Sequence, residues 1–400
     1  MAVSSGLTIG VDATTWWNKR GFGRFTRGQL GAMLAQPRGH KFVLFVDQEP
    51  VEEMIRPHVE VVRVKTTSTV TDSAVADSSR NIGDILAFRR ATFDWSMDVF
   101  WFPAVYSWYP INRTVPSIVT FHDAIAERFT SLVLPQLRGR LFWNLKIWAA
   151  KRSATRITTV SKAARDEIVR YLGIPAKNIS VILEAADSRF QRVEEKGARR
   201  AARDDLGLPL GRKLVLYVGG LAPHKNLAGL IRGFAAAVSG EPALTDVDLV
   251  LAGDPKGSGF HSNIEELQAL AAGSGLQHRV HFPGFVPDPL LPALYSDALV
   301  VAMPAFSEGF GLPAAEAIAC GTPVIATAGG AVAEVVERAG LFFDPNDPND
   351  IGRVIGTVAS DHVTLEQLRA ECLPRSAELS WQHSGAQMLD LLESCARRRS

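Results

Sequence analysis

Two glutamates stand eight residues apart in Ser307–Thr327, which reads SEGFGLPAAEAIACGTPVIAT. Glu308 precedes a glycine-containing loop, and Glu316 lies in the helix predicted from Pro313 onward, since proline suits a first turn. The free N–H groups of a helix start can bind phosphate. Carboxylates accept hydrogen bonds from vicinal hydroxyls, so the pair could hold two sugars, one on each side of a diphosphate. The spacing equally suits a plain helix start with two favourable acids.

A lysine follows a predicted strand end in Tyr217–Leu227, which reads YVGGLAPHKNL. The glycine turn is Gly219 and Gly220, and Lys225 and Asn226 come at the start of the next helix. A lysine at this edge would neutralise a diphosphate and stabilise a nucleotide as it leaves. Most such turns are purely structural, so this motif is informative only together with the others.

The N-terminal half contains two further candidates. Asn18–Phe25 reads NKRGFGRF just after the first predicted strand, and its GxG is a common loop motif. In such a loop Gly21 and Gly23 would let the backbone approach a ligand without a Cβ clash. His122 and Asp123 end another predicted strand in VTFHDAI. A single histidine at a strand end usually has a structural role, so this pair alone does not establish a site.

These motifs follow short apolar runs that alternate with helical stretches, a pattern typical of parallel βαβ units. The predicted strands include Lys213–Val218, Val247–Ala252 and Ala298–Ala302, and a helix is predicted over Leu227–Val238. Ligands bind at the carboxyl edge of doubly wound sheets. Because 400 residues exceed what one core usually serves, we expect two α/β domains that meet near the polar stretch Glu194–Asp205.

The Glu-x7-Glu spacing within GFGLP…EA…GTPVIA resembles the signature of family 4 retaining glycosyltransferases. Several motifs agree in order, and the resemblance covers nearly the whole chain. It implies the GT-B fold, in which two Rossmann-like domains face each other across a cleft. It further implies an N-terminal acceptor-binding domain over residues 1–190 and a C-terminal donor-binding domain over residues 191–375. A helical segment over residues 376–400 is expected to pack toward the N-terminal domain.

The resemblance also assigns roles to individual residues. It implies that Glu308 and His122 are the catalytic residues, which contact the donor sugar, and that Glu316 binds the ribose hydroxyls. Phe285 and Val286, in FPGFV, match the loop whose backbone contacts the nucleobase. The other implied donor-binding positions are Gly21, Gly23, Gly219, Gly220, Lys225, Asn226, Gly309, Phe310, Gly311 and Leu312.

Two positions depart from the family pattern. Many members carry arginine directly after the first glycine of the lysine motif, where this chain has Gly220. The residue that supplies the second phosphate-binding cation is therefore unidentified, and Arg24 and His224 are the candidates. Before the interdomain hinge, Ala185 replaces the usual glycine.

We therefore expect a retaining glycosyltransferase that moves a hexose to a hydroxyl of a glycan or lipid-linked acceptor. The NKRGFGRF and PHKN runs are most similar to bacterial mannosyltransferases of polysaccharide and lipopolysaccharide pathways. GDP-mannose is therefore the first candidate for the donor, and UDP-hexoses are the next. The alternatives are a sugar-nucleotide epimerase or phosphorylase of the same shape, and a non-catalytic sugar-binding protein. No DxD-like pair stands where a divalent ion is needed, so we expect neither a metal nor a cofactor.

Composition excludes several other classes. A net charge of +1 gives no case for nucleic-acid binding. The three cysteines lack metal-ligand spacing and cannot form a disulfide framework, which fits a reducing cytosol. The N-terminus lacks the features of a signal peptide, and no apolar run is long enough to span a bilayer. We expect a cytoplasmic protein.

The stretch Arg128–Arg165 contains no acidic residue. It is open to two interpretations: a core helix with a solvated basic face, or peripheral contact with an anionic membrane that carries a lipid-linked acceptor. The nine cations of the stretch are Arg128, Arg138, Arg140, Lys146, Lys151, Arg152, Arg156, Lys162 and Arg165.

Overall fold

A computed structural model describes residues 6–67, 69, 81–134, 136–240, 244–254 and 263–397. The chain forms two compact units. The N-terminal unit comprises Met1–Glu184 together with Trp381–Ser400, and the C-terminal unit comprises Ala185–Ser380. Each unit is built on one parallel β-sheet.

The N-terminal unit has a seven-stranded sheet in the order β3-β2-β1-β4-β5-β6-β7. The middle strand β4 and its neighbour β5 are buried along their length, as expected for a parallel sheet covered on both faces. The strands are β1 Thr8–Asp12, β2 Lys41–Val46, β3 Val59–Arg63, β4 Val99–Phe102, β5 Ser117–Thr120, β6 Arg156–Thr159 and β7 Ile179–Val181. The helices are α1 Gly21–Leu34, α2 Ile82–Phe93, α3 Ile125–Arg128, α4 Thr130–Val133, α5 Leu137–Ser153 and α6 Lys162–Leu172.

The C-terminal unit has a six-stranded sheet in the order β10-β9-β8-β11-β12-β13, the doubly wound arrangement whose order reverses between β8 and β11. The strands are β8 Lys213–Val218, β9 Val247–Ala252, β10 Val280–Gly284, β11 Val300–Met303, β12 Val324–Thr327 and β13 Gly340–Phe343. The helices are α7 Lys196–Asp205, α8 Leu227–Gly240, α9 Ile264–Gly273, α10 Leu291–Asp297, α11 Leu312–Ala319, α12 Ala331–Val336, α13 Pro348–Ser360 and α14 His362–Glu378.

The last helix, α15 (Trp381–Arg397), belongs to the N-terminal unit and packs against α1. The Gln29 side-chain amide donates to the Ser384 carbonyl at 3.0 Å. The Trp381 ring lies directly over Gly28 of α1, with its nearest atom only 2.3 Å from where a Cβ would stand. A side chain at position 28 would therefore force the two helices apart.

All three cysteines are buried, and none of them forms a disulfide. Burial and the nearby charge of Glu316 raise the pKa of Cys320 to about 12. Burial likewise raises the pKa of Cys372 to about 12. These thiols are core residues rather than reactive groups.

Among the described helices, none combines the length and the apolar character that crossing a bilayer requires.

Gly28→Ala should destabilise the N-terminal unit by about 1–3 kcal/mol, because the added methyl overlaps the Trp381 ring. Gly31→Ala is the matched control, since a Cβ at this position of the same helix meets nothing within 4 Å. It should be neutral, or stabilise by up to about 1 kcal/mol through helix propensity. All eight tryptophans belong to the N-terminal unit, so urea unfolding followed by tryptophan fluorescence reports on this unit. Equal effects of the two substitutions would contradict the packing of α15 on α1.

Candidate functional site

Two loops leave the carboxyl edge of the C-terminal sheet from neighbouring strands. β8 pairs with β11 in parallel, and the chain order reverses between them. The loop after β8 carries Lys225, at the end of a 3-10 turn, and the loop after β11 carries Glu308. A backbone hydrogen bond from Phe306 N to His224 O, at 3.1 Å, links the two loops. This edge is where doubly wound sheets bind their ligands.

An ion pair joins the two functional candidates at this edge. Lys225 Nζ lies 2.6 Å from Glu308 Oε1, and the two side chains are 17% and 16% exposed. The phenol of Tyr217 donates to the Gly220 carbonyl at 2.6 Å. Burial, reinforced by the charge of Glu308, raises the pKa of Tyr217 well above its ordinary value of 10, so the phenol keeps its proton. Lys225 and Glu308 are thus held together in a partly desolvated pocket.

His224 does not supply the missing second cation. Burial, with the adjacent charge of Lys225, lowers its pKa to about 3. The imidazole is therefore neutral near neutral pH. This removes one of the two candidates for the cation that Gly220 leaves open. A Cβ at Gly220 would meet nothing within 4 Å.

The glycine-containing loop leads into α11 as the sequence predicts. Gly311 caps the helix in the left-handed conformation, with φ 93°, and Pro313 stands in the first turn. The Phe310 side chain is buried. Gly309 lies just before it, and Leu312 is the first helical residue. Pro313 has no N–H, and Ala314 N donates to the Gly311 carbonyl at 2.8 Å. The start of this helix, where its dipole is positive, lies next to Glu308 in the chain.

Glu316 is far less accessible than Glu308. It is 1% exposed, and its Oε2 accepts a hydrogen bond from the Tyr295 phenol at 2.9 Å. Tyr295 lies in α10, and the sequence analysis did not single it out. A lone tyrosine in a helix gives no sequence signal that would reveal this contact. A ligand can reach the Glu316 carboxylate only if neighbouring groups move.

The remaining donor-binding candidates differ in what their side chains do. The Asn226 amide donates to the Pro345 carbonyl at 2.8 Å, and the residue adopts φ 56°. Asn226 therefore holds its turn, and a direct donor contact stays a prediction. Gly219 N donates to the Ala252 carbonyl. After β10, Phe285 is 59% exposed while Val286 is buried.

His122, in the N-terminal unit, is held by groups of its own unit. Its Nε2 lies 2.9 Å from the Pro103 carbonyl, which can only accept, so Nε2 carries the hydrogen. Nδ1 faces Glu184 Oε1 at 3.5 Å. The rings of Phe22 and Phe25 stand edge-on to the imidazole. A hydrogen bond from His122 to a sugar requires one of these contacts to be exchanged, and that role stays a prediction.

Glu184 was not among the predicted site residues. Burial raises its pKa above the ordinary 4.5, with His122 acting in the opposite direction. Within the described part of the chain, its Oε2 is buried without a hydrogen-bond partner, which suits a protonated carboxyl better than a carboxylate. Burial and the unpartnered Oε2 both favour the neutral form of the Glu184 carboxyl.

A second carboxyl near His122 was also missed. Glu127 accepts a hydrogen bond from Trp143 Nε1 at 2.7 Å, and burial raises its pKa. These two residues and Tyr106 line a small cavity beside His122. Glu127 is five positions after His122 in the sequence, but only the fold shows its hydrogen bond with Trp143.

The glycine pair of NKRGFGRF requires a correction. Gly21 and Gly23 lie in the first turn of α1 and not in a loop. A Cβ at Gly23 would stand 1.8 Å from the Asn18 carbonyl oxygen. The close approach that needs glycine here is made to the protein's own backbone. Gly21 is exposed with open space around its Cα.

Comparison with known proteins gives the same assignment for both units. Residues 26–189 match the family model described as Glycosyltransferase Family 4, and residues 198–372 match the model described as Glycosyl transferases group 1. The D-inositol 3-phosphate glycosyltransferase of Xylanimonas cellulosilytica is 30% identical over 309 residues, which cover 75% of this chain and 72% of that protein. The chain belongs to the family 4 glycosyltransferases.

A second relative has a similar sequence identity, but the match covers a smaller share of that relative's length. The D-inositol 3-phosphate glycosyltransferase of Rhodococcus opacus is 32% identical over 299 residues, or 73% of this chain. The match spans 65% of the length of that relative. The crystal structure of Anabaena Alr3699/HepE in complex with UDP and glucose superposes with a TM-score of 0.71 at 18% identity, covering 97% of this chain and all of that one. The predicted GT-B fold is confirmed.

Glu184→Gln should make the N-terminal unit progressively more stable than wild type as the pH rises from about 4.5. The native state keeps the Glu184 proton where the unfolded chain has lost it, so wild-type stability falls as the pH rises toward the raised pKa. Glutamine cannot ionise, and its amide can donate to Nδ1. The gain should approach about 1.4 kcal/mol per unit of pKa shift.

Urea unfolding by tryptophan fluorescence between pH 5 and 8 measures this difference, with Glu53→Gln, an exposed acid of the same unit, as the control. A stability difference that does not change with pH would contradict the raised pKa of Glu184.

Proposed function

We propose that this family 4 member transfers a hexose from a nucleoside diphosphate sugar to an acceptor hydroxyl with retention of anomeric configuration. The observation that carries the proposal is the Lys225–Glu308 ion pair at the strand-order reversal, next in the chain to the start of α11. A cation, a carboxylate and the positive end of the α11 dipole lie there. These are the groups that a diphosphate and a sugar require.

Donor binding would exchange the partners of this ion pair. The diphosphate offers Lys225 a stronger anionic partner than one carboxylate, and the N–H groups of the α11 start face the same charge. Glu308, released from the lysine, can then accept hydrogen bonds from the sugar hydroxyls. The ligand-free pair keeps both charges satisfied until the donor arrives.

The reaction then follows from charge development. The bond between the anomeric carbon and the phosphate oxygen breaks, and its electron pair goes to the nucleotide. Lys225 and the helix start stabilise this growing negative charge, and Glu308 holds the oxocarbenium-like sugar. The acceptor oxygen bonds to the anomeric carbon on the same face, and its proton passes to a phosphate oxygen. Because protein cations and N–H groups hold the diphosphate, we propose that no divalent metal is needed.

The donor and acceptor are proposed only as chemical classes. GDP-mannose remains the first candidate from the sequence resemblance, with UDP-hexoses next. The relatives are named for D-inositol 3-phosphate, so a phosphorylated cyclitol joins a glycan or lipid-linked hydroxyl as an acceptor candidate. Peripheral contact with an anionic membrane, where a lipid-linked acceptor would lie, is also part of the proposal.

Mass spectrometry of products tests the reaction class. The full chain is incubated with GDP-mannose or UDP-glucose and each acceptor class, with and without EDTA. We expect a mass increase of one hexose on an acceptor, with activity retained in EDTA. A rearranged nucleotide sugar would indicate an epimerase, a sugar phosphate formed from glycan and inorganic phosphate would indicate a phosphorylase, and unchanged substrates would indicate a binding protein. Loss of activity in EDTA that Mg²⁺ restores would overturn the metal-independent step.

Glu308→Ala should lower turnover by at least about 100-fold, the usual cost of removing one transition-state contact. Its nucleoside diphosphate affinity should hold or rise, because Lys225 loses its competing partner. Lys225→Ala should instead weaken nucleotide binding as well as turnover. Calorimetric titration with GDP and UDP, alongside the transfer assay, separates the two effects. Glu266→Ala, an exposed acid of the same unit, is the control. Near-wild-type turnover in a correctly folded Glu308→Ala protein would contradict the proposed contact between Glu308 and the donor sugar.

A further inference from the structure

Helix α5 has two apolar faces, and only one of them is covered. Trp143, Ile147 and Ala150 are buried within the N-terminal unit. The opposite face leaves four large apolar side chains exposed: Leu137 (79%), Leu141 (73%), Leu145 (59%) and Trp148 (59%). We call these four residues the apolar ridge.

The spacing of the apolar ridge makes it one continuous stripe. Its members follow each other at intervals of four, four and three residues, which places them along one side of a helix. At 1.5 Å per residue the ridge is about 16 Å long. Isolated exposed leucines are ordinary, whereas a continuous apolar patch marks an interaction surface.

Most cations of the acid-free stretch are engaged by other groups of the N-terminal unit. Only the cations that are not engaged in this way could contact a membrane directly. Backbone carbonyls or carboxylates accept from six of them: Lys146 with Tyr106, Lys151 with Leu172, Arg140 with Leu134, Arg156 with Lys177, Arg128 with Glu167 and Arg165 with Asp166.

Two arginines of α5 remain exposed at the ends of the apolar ridge. Arg138 follows Leu137, and Arg152 stands one helical turn beyond Trp148. Neither has an ion-pair partner among the residues that the structure describes. We propose that the apolar ridge, with these two arginines, is the surface through which the N-terminal unit docks on an anionic lipid bilayer. Leucines entering the acyl boundary provide the main attraction, and the arginines contact lipid phosphates.

Charge favours a lipid surface over a second copy of this chain. A two-fold pairing of two ridges in antiparallel orientation would bring Arg138 of one copy near Arg152 of the other, and like charges repel. An anionic headgroup layer complements both arginines. Trp148 is also of the residue type that prefers the membrane–water interface.

The inference rests on the membrane contact proposed above and assigns its surface, but it does not depend on the proposed transfer reaction. Its physical basis predicts a specific salt response. Electrostatic attraction is screened beyond roughly 8 Å at physiological ionic strength, whereas burial of leucine side chains is not. Binding through the apolar ridge should therefore weaken with salt but persist.

Co-sedimentation of the full chain with vesicles of equal parts phosphatidylglycerol and phosphatidylcholine tests the proposal. Leu141→Asn combined with Leu145→Asn should lower the partition coefficient at least about tenfold, a lower bound for removing two buried leucines. Ile55→Asn combined with Ile82→Asn is the matched control, because both isoleucines are similarly exposed in the same unit (70% and 68%). This control should bind within twofold of wild type.

The same assay also tests the role of the two arginines and the effect of salt. Arg138→Gln combined with Arg152→Gln should weaken binding at 50 mM salt but have little effect at 500 mM. The proposal is overturned if wild type stays in the supernatant at low salt, or if the leucine variant binds like wild type. It is also overturned if wild type is a dimer by light scattering, the leucine variant is a monomer and neither binds vesicles, since the ridge then joins two copies. Unchanged thermal unfolding of each variant establishes that its fold is intact.

Discussion

The reversal of strand order between β8 and β11 is the constraint on which the donor end of the C-terminal unit depends. In a parallel sheet all strands end at one edge, and at the reversal the two connections leave in opposite directions. Lys225 and Glu308, 83 positions apart, meet there at 2.6 Å. Because this position is partly desolvated, each charge is stabilised by its partner and would be costly alone. The hydrogen bond from Phe306 N to the His224 carbonyl holds the first loop against the second.

The elements that carry the site were largely predictable, because their sequence signals are local. Lys213–Val218 and Val247–Ala252 have the same limits in the sequence prediction and in the structure. Most positions of both strands are buried, and apart from Lys213 and Asp248 the strands consist of apolar residues. The strand predicted over Ala298–Ala302 instead covers Val300–Met303, because Ala298 caps α10. The family and the fold were also predicted, since the Glu-x7-Glu segment is contiguous in the chain.

Contacts between distant residues were not predictable, since no local pattern records them. Tyr295 and Glu316 meet through a hydrogen bond between two helices. Glu184 faces His122 across 62 positions, and its role follows from burial alone. The N-terminal GxG motif was predicted to be a loop in which glycine allows a ligand to come close. It is instead the first turn of a helix, and Gly23 is required by its close contact with the Asn18 carbonyl. For the basic stretch, the sequence reveals the charges but not the carbonyl and carboxylate groups that engage most of them.

The burial of all three cysteines has a practical consequence. A thiol reacts as its thiolate, and with pKa values of about 12 the thiols of Cys320 and Cys372 stay protonated at neutral pH. Cys395 is 3% exposed and similarly inaccessible to a bulky reagent. A single cysteine introduced at an exposed position such as Leu141 would therefore be the dominant site for a maleimide dye. The native chain can accept one site-specific fluorophore without removal of any core residue, so lipid contact and ligand-dependent motion can be followed by fluorescence in an otherwise unaltered protein.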